Sequence, residues 1–554
     1  VVVSAHFTGG KMKLSIAKKV VAPVAAIAVV ISLTAAAWPT DKPIYVISTN
    51  DAVSINPIAT TGDVITGTEV RGIPDGMGAF TSENGRGVTL LSNHEVAIND
   101  KIALKSATTD RPWGVSITKF NYTTSLNKID KAEDFIKTWN FWNYKTNSYT
   151  STPIGGEPTN AAAGSFGWGI SRFCSGTYTP AGTFIYNGVG YDGGLYTTGE
   201  EVGDSSRGFG FDMTGTGYQL PRVGMLSIEN IIPNTKPGAN TVAMVNEDGS
   251  ATDSQLHMYI GKKQSTGTSV DKAGLTNGDL YVLNVPTVAT DNLFRTTIAK
   301  STPVDATFKK IEWNTDVTSF AKGARDNGMT FARIEDGNWD PKNPNVYYFI
   351  TTESNKDPVA TKENPTEPGI SRDGGGLWRL TFKDAQNPLL GASLEMLLNG
   401  GEAPYLSKPD NLTITSNGII MIQEDPGNNA HVARILAYRI SDGKIAPVAT
   451  FDSKYFTATG SQYMTIDEET SGIIDVTSLL AKEGDKNTYF MFNAQVHTYS
   501  GVTTVDSGVK GATTPARPDM VNRPTSSKTT LDNVAVEGGQ YYTMAVSDWN
   551  KIFA

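Results

Sequence analysis

Beyond Leu33 no stretch of this chain sustains the 3.6-residue apolar repeat of an amphipathic helix. Short runs rich in Val, Ile, Tyr, Phe and Thr recur instead between Gly, Asn, Asp and Pro, which restricts the fold to the all-β class. Representative runs are Gly87-Val88-Thr89-Leu90-Leu91, Thr183-Phe184-Ile185-Tyr186, Gly278-Asp279-Leu280-Tyr281-Val282-Leu283, Gly418-Ile419-Ile420-Met421-Ile422 and Tyr489-Phe490-Met491-Phe492. Several share one order. An aromatic-rich run at 346–350 is followed by a Gly-started run at 376–380, and residues 434–440 return through Ser441-Asp442-Gly443-Lys444 into 445–451. Four-stranded sheets repeated around an axis bury their faces on one another and leave no long free edge, so this order predicts a β-propeller. At about 40 to 50 residues per blade the chain overfills six or seven blades, and long inserted loops are expected. Short helices are expected at 131–138 and 392–398, and residues 500–533, rich in Thr, Ser, Pro and Gly, read as a surface loop.

The first Met is Met12, and residues 1–11 are set aside as upstream sequence. Lys13, Lys18 and Lys19 precede an apolar run at 20–33 and the small residues Ala35-Ala36-Ala37, the order of a signal peptide cleaved near residue 37. A retained anchor is the alternative, and Pro23, Ser32 and Thr34 weigh against it. Residues 38–554 are then expected to form a single propeller domain with no integral membrane segment. The chain carries 47 Lys plus Arg against 56 Asp plus Glu, a net charge of -9. That sign argues against nucleic acid as partner and favours cations as ligands. Cys174 is the only cysteine, so it is either a small buried residue or a metal-binding thiolate, not half of an internal disulfide.

Acids gather where β runs end: Asn93-His94-Glu95, Gly199-Glu200-Glu201, Ile228-Glu229-Asn230, Asn246-Glu247-Asp248, Arg333-Ile334-Glu335-Asp336-Gly337, Thr352-Glu353, Pro409-Asp410-Asn411 and Gln423-Glu424-Asp425. Each alone reads as a solvated turn acid. Together they suggest a carboxylate-lined cavity, where mutual repulsion drives protonation unless cations compensate it. Oxygen-rich sets suit calcium, and five His with one Cys disfavour an ordinary zinc site. Cys174 lies in a Gly-flanked stretch, 167–176, which raises its reading as a ligand; a thiolate among carboxylates suits a softer metal such as iron. Arg333, two residues before Glu335, shares its face if the backbone is extended, as a phosphate fork or as a structural ion pair. His94, His257, His431 and His497 read as structural residues.

In sequence order, Asn93-His94-Glu95, Arg172-Phe173-Cys174-Ser175, Thr198-Gly199-Glu200-Glu201, Glu229-Asn230, Arg333-Ile334-Glu335-Asp336-Gly337, Pro409-Asp410-Asn411-Leu412 and Ser471-Gly472-Ile473-Ile474-Asp475-Val476 resemble the PhoX-type alkaline phosphatases, exported bacterial phosphomonoesterases. The resemblance spans roughly residues 90–497. It implies a six-bladed β-propeller with paired iron (Fe3+) and several calcium ions (Ca2+) at one end of its axis. By resemblance Cys174 and Glu229 are iron ligands, Glu335 bridges to calcium, and Arg333 contacts the substrate phosphate. Glu95, Glu200, Glu201, Asp336, Asp410 and Asp425 are calcium ligands or support them. The implied activity is calcium-dependent hydrolysis of small phosphomonoesters in the periplasm, outside the cell or at its surface. The leader departs from the family's twin-arginine signal, with Lys18-Lys19 in place of an Arg pair. Two other readings fit the same features: a calcium propeller cleaving a lactone or phosphodiester, and a non-catalytic surface or filament subunit stiffened by calcium.

Overall fold

The computed structural model describes residues 40, 42–83, 85, 87–96, 113–151, 169–353, 374–426, 432–457, 459–497 and 537–554. The chain divides into two units, residues 1–37 and 38–554, and the second is compact. The expected signal segment and the expected surface loop at 500–533 both lie outside the described residues.

Six inner strands organise the second unit: Pro74–Thr81, Phe173–Thr179, Ile228–Pro233, Ile334–Trp339, Pro409–Ile414 and Glu468–Asp475. Each touches the next, and the last touches the first, so the ring closes. Every inner strand opens an antiparallel blade. In the first, Pro74–Thr81 is followed outward by Gly87–His94, Ser116–Thr123 and Lys128–Asp134. The second adds Thr138–Asn143 at its rim, parallel to Thr216–Gln219. The third and fourth blades merge into one nine-stranded sheet, because Val304–Ile311 of the third pairs with Ala392–Leu398 of the fourth. N-terminal strands finish the last two blades: Val46–Ser48 pairs with Lys444–Phe451, and Val53–Thr60 with Gly538–Val546. Sealing blades with strands from the far end of the chain removes two free edges.

Position in the blade dictates the residue pattern. Val346–Thr351 and Ile419–Glu424 are second strands covered on both faces, and every residue of each is buried; they read as continuous apolar runs. At the rim Val304–Ile311 buries only Ala306 and Ile311. The core follows the interfaces between blades, as where Trp139, Phe141, Phe173, Phe209 and Phe211 pack together in the second.

Both expected helices are strands. Residues 131–138 fall in Lys128–Asp134 and the start of Thr138–Asn143, and residues 392–398 form Ala392–Leu398. Pairing along a blade outweighs the helix propensity of Lys, Glu, Ala and Leu, because each segment lies beside an unfilled sheet edge. The longest described helix, Val317–Asn327, follows the last strand of the third blade in the chain and packs against that blade. Its N-cap Asp316 accepts from Ser319 N at 2.9 Å, and it turns Phe320 and Ala324 inward.

Candidate metal centre

Each blade brings the same two positions to one end of the axis. The first is the second residue of the inner strand: Asp75, Cys174, Glu229, Glu335, Asp410 and Glu469. In five blades it lies within a break in the ladder, between Pro74 and Met77, Phe173 and Gly176, Ile228 and Asn230, Ile334 and Gly337, and Pro409 and Leu412. A bulge of this kind bends the strand and re-aims the side chain. The second position lies just past the next strand: Glu95, Glu201, Asp248, Thr352, Asp425 and His497. The backbone N–H of each donates to a carbonyl two residues ahead of the inner-strand group, from Glu95 to Ile73, Glu201 to Arg172, Asp248 to Ser227, Thr352 to Arg333, Asp425 to Lys408 and His497 to Asp467, at 2.8 to 3.0 Å. Ile73, Arg172, Arg333 and Lys408 all take positive φ, 46° to 58°. Such a kink in residues with a Cβ costs about 1–3 kcal/mol, and it turns the chain from loop into bulge.

These positions enclose a chamber of about 260 Å³ lined by Glu95, Arg172, Cys174, Glu201, Asp248, Arg333, Glu335, Asp410, Asp425, Asp467, Glu469 and His497. Four overlapping sets have ligand atoms within 4.8 Å of one another: Asp75, Glu95 and Cys174; Cys174, Glu201 and Glu229; Glu229, Glu335 and Asp410; Asp410, Asp425 and Glu469. Shared members link them into one series through all six blades. Burial dominates its electrostatics. Burial first, and neighbouring carboxylates after it, lift Glu229 to about 8 and Glu469 to about 7. Asp75, Glu335 and Asp410 rise for the same two reasons. The Cys174 thiol is pushed up by burial and by Asp75 and Glu229, and its Sγ lies 2.9 Å from Asp75 Oδ2. Glu95 is the exception: burial opposes its charge, but Arg172 and Gln495 hold it below the usual range.

Several of these groups have no donor to answer them. Among the described residues none places a hydrogen-bond donor on either oxygen of Glu229, on Asp75 Oδ1 or on Asp410 Oδ1. Orphaned buried carboxylate oxygens are costly, and carboxylates with one thiolate fit hard and intermediate metal ions. Two guanidiniums flank the series. Arg333 grips Asp248 through Nε at 2.9 Å and Nη2 at 2.7 Å, and lies 3.3 Å from Glu335. Arg172 pairs with Glu95 at 2.5 Å and Glu201 at 2.8 Å. On the other side His497 Nδ1–H donates to Glu537 at 2.9 Å and its Nε2 lies 3.7 Å from Glu469, and these two acids keep its ring protonated well above the usual range despite burial.

Of the residues singled out in the sequence, Cys174, Glu229, Glu335, Glu95, Glu201, Asp410, Asp425 and Arg333 converge here. Glu200 and Asp336 do not. Glu200 faces into the second blade, where Arg207 Nε reaches it at 2.8 Å and Ser171 N at 2.9 Å. Asp336, one residue past Glu335, points to the opposite side of the bulge. It accepts from Asn230 Nδ2 at 2.8 Å and lines a separate axial cavity of about 940 Å³ further along the inner strands. His94 and His257 are buried in hydrogen-bonded structural positions, lowered to about 3 and about 4; His431 lies outside the described residues. Sequence reasoning missed Asp75, Asp467 and Glu469 and read His497 as structural. Ile73-Pro74-Asp75 has the same form as Lys408-Pro409-Asp410, and that repetition was the available signal.

The family described as Alkaline phosphatase PhoX matches residues 56–477. No curated protein matches the chain. Among solved structures, Pseudomonas fluorescens PhoX in complex with vanadate, a transition state analogue, aligns over 92% of this chain and 98% of its own with a TM-score of 0.57 and 11% identity, which shows a common fold. A luciferin-regenerating enzyme aligns over 86% of this chain and 91% of its own, with a TM-score of 0.28 and 10% identity.

Proposed function

The chain belongs to the PhoX alkaline phosphatase family, and from that premise we propose that it is a calcium-dependent metallophosphatase releasing inorganic phosphate from small phosphomonoesters outside the cytoplasm. The observation that carries this reading is the linked series of acids and one thiol, buried, short of donors and flanked by two guanidiniums. In it Cys174 and Glu229 would hold iron, Glu335 would serve both iron and calcium, and Glu95, Glu201, Asp410 and Asp425 would serve calcium. Asp75 and Glu469 complete the ring. Glu200 and Asp336 take structural parts. Metal ions bound here would neutralise phosphate oxygens and lower the pKa of coordinated water.

The chain's own residues have distinct tasks. Asp248 fixes the Arg333 fork, leaving Nη1, 3.7 Å from Glu353, as the edge that meets the substrate phosphate. A guanidinium there strengthens its hold as charge develops on the phosphoryl oxygens. A chamber of about 260 Å³ accommodates a phosphoryl group and leaves the alcohol portion outside, so one site can serve many small esters. Export is inferred from the apolar run at 20–33 and its small-residue boundary. Among the described residues no helix is long and apolar enough to cross a membrane.

The test is phosphate release from an aryl phosphate at alkaline pH by the purified protein, with added calcium and with a calcium chelator. Turnover that the chelator abolishes and calcium restores is expected. A folded, calcium- and iron-loaded protein with no turnover overturns the reading.

A further inference from the structure

Arg172 and Arg333 hold equivalent places in the second and fourth blades, each two residues before an inner-ring group and each at positive φ, 46° and 58°. They spend their donors differently. Arg333 commits Nε and Nη2 to a bidentate grip on Asp248. The closest contacts of Arg172 to both Glu95 and Glu201 run through Nη2, and its Nε is buried with no hydrogen-bond partner among the described residues. Its side chain is 42% exposed and faces the chamber. The partner carboxylates do not seal it off: Glu95 Oε1 is turned away, toward Gln495 at 2.8 Å and Cys174 at 3.6 Å. Blades two to four set both arginines beside Glu201, Asp248 and Glu335 in the chamber, whereas blades five and six set only His497 beside Asp410, Asp425, Asp467 and Glu469. The arginine side therefore carries the smaller excess of negative charge and is where an anion meets least repulsion.

We propose that Arg172 is a second phosphate-contacting residue, donating from its uncommitted edge to a phosphoryl oxygen so that the substrate phosphate is held between Arg172 and Arg333. The proposal rests on the phosphatase reading, which supplies the ligand. Its geometry is that of a partly exposed planar fork anchored at Nη2, a form suited to tetrahedral oxyanions in a way a lysine ammonium does not reproduce.

The experiment uses the metal-loaded full chain and Arg172→Gln and Arg172→Lys variants. Metal content, KM for an aryl phosphate, inhibition by inorganic phosphate and, independently of turnover, calorimetric binding of inorganic phosphate are measured for each. With metal content unchanged, Arg172→Gln is expected to weaken phosphate binding and raise KM by roughly 10- to 100-fold, on the scale of a lost charged donor. Arg172→Lys should recover only part of this loss. Unchanged phosphate binding in metal-replete Arg172→Gln overturns the proposal. Loss of metal in step with phosphate binding in both variants also overturns it, because Arg172 would then act by holding Glu95 and Glu201. An inactive wild type that still binds phosphate through Arg172 would sink the phosphatase reading and leave this contact standing.

Discussion

Glu229 carries two buried oxygens without a donor, and burial raises its pKa to about 8. A carboxyl in that position is either protonated or compensated by a cation. Glu335 belongs to the same set, so Glu335→Ala should remove metal and activity together, read by elemental analysis beside phosphate release. Arg333 touches carboxylates only, and Arg333→Ala should retain metal while turnover drops by roughly 10- to 1,000-fold, the range for a lost charge-stabilising donor; unaltered turnover would remove its assigned task. Glu200 makes the opposite case. Its partner Arg207 is almost fully buried, so Glu200→Gln should cost about 1.5–3 kcal/mol of stability by removing the charged acceptor of that guanidinium, with metal content per folded molecule intact. Loss of metal at unchanged stability would return Glu200 to the centre. Adjacent residues in Gly199-Glu200-Glu201 look equivalent in sequence, yet opposite side-chain directions along a strand send one into the blade and the other to the chamber. Asp336 parts from Glu335 for the same reason, with a bulge between them.

The repeated element is a lead-in residue, a bulged inner-strand start and a second strand whose end docks back on the lead-in. Strand content and the propeller were legible because central strands are buried on both faces and read as apolar runs, as in Tyr347-Tyr348-Phe349-Ile350. The rim was not: Lys128–Asp134 and Ala392–Leu398 owe their strand form to the neighbouring edge rather than to their own composition. Asp75 was hidden because Pro-Asp-Gly is turn chemistry by composition, whereas here Asp75 and Gly76 lie inside a bulge against the second blade. That packing tolerates no side chain at Gly76. A Cβ would come within 2.1 Å of Gly176 N and 2.4 Å of Ser175 C, both backbone. Gly76→Ala should therefore part the two inner strands, lowering stability by at least about 1–3 kcal/mol and weakening metal binding through Asp75. Gly323→Ala, in Val317–Asn327 with nothing within 4 Å of the added carbon, should instead gain up to about 1 kcal/mol. Thermal melts of the two variants with and without calcium decide the matter, and equal effects would contradict the close approach of the first two blades.

For the whole molecule, closing six blades around an axis forces six inner-strand groups into one small space, and five of them are carboxylates. Glu229 at about 8 and Glu469 at about 7 stand above their ordinary value of 4.5. Each binds more protons in the folded than in the unfolded chain, so its contribution is fully present below pH 4.5 and is lost as pH rises through the folded value. His497, also raised, acts in the same direction from its ordinary value upward. His94 and His257, lowered to about 3 and about 4, act oppositely: the folded chain gains stability as pH climbs to about 6.5 and nothing above it. Below about pH 6.5 the two effects oppose each other, and above it only the loss remains. With Asp75, Glu335 and Asp410 raised beside Glu229 and Glu469, the carboxyls outnumber the two imidazoles, so the chelated protein should already lose stability as pH rises from about 4.5, and should lose on the order of a few kcal/mol between pH 6.5 and pH 8 to 9, where no gain offsets the fall. Under the proposed function calcium would bind the charged carboxylates, so saturating metal should flatten that fall, adding roughly 2.7 kcal/mol of stability at a hundredfold excess over the dissociation constant and raising the melting temperature most at the alkaline end. Melting curves from pH 5 to 9, with chelator and with calcium, test this. A chelated protein equally stable at pH 6.5 and pH 9 would mean that the six inner groups do not share one buried chamber, and the assignment of a metal centre to this end of the axis would fall with it.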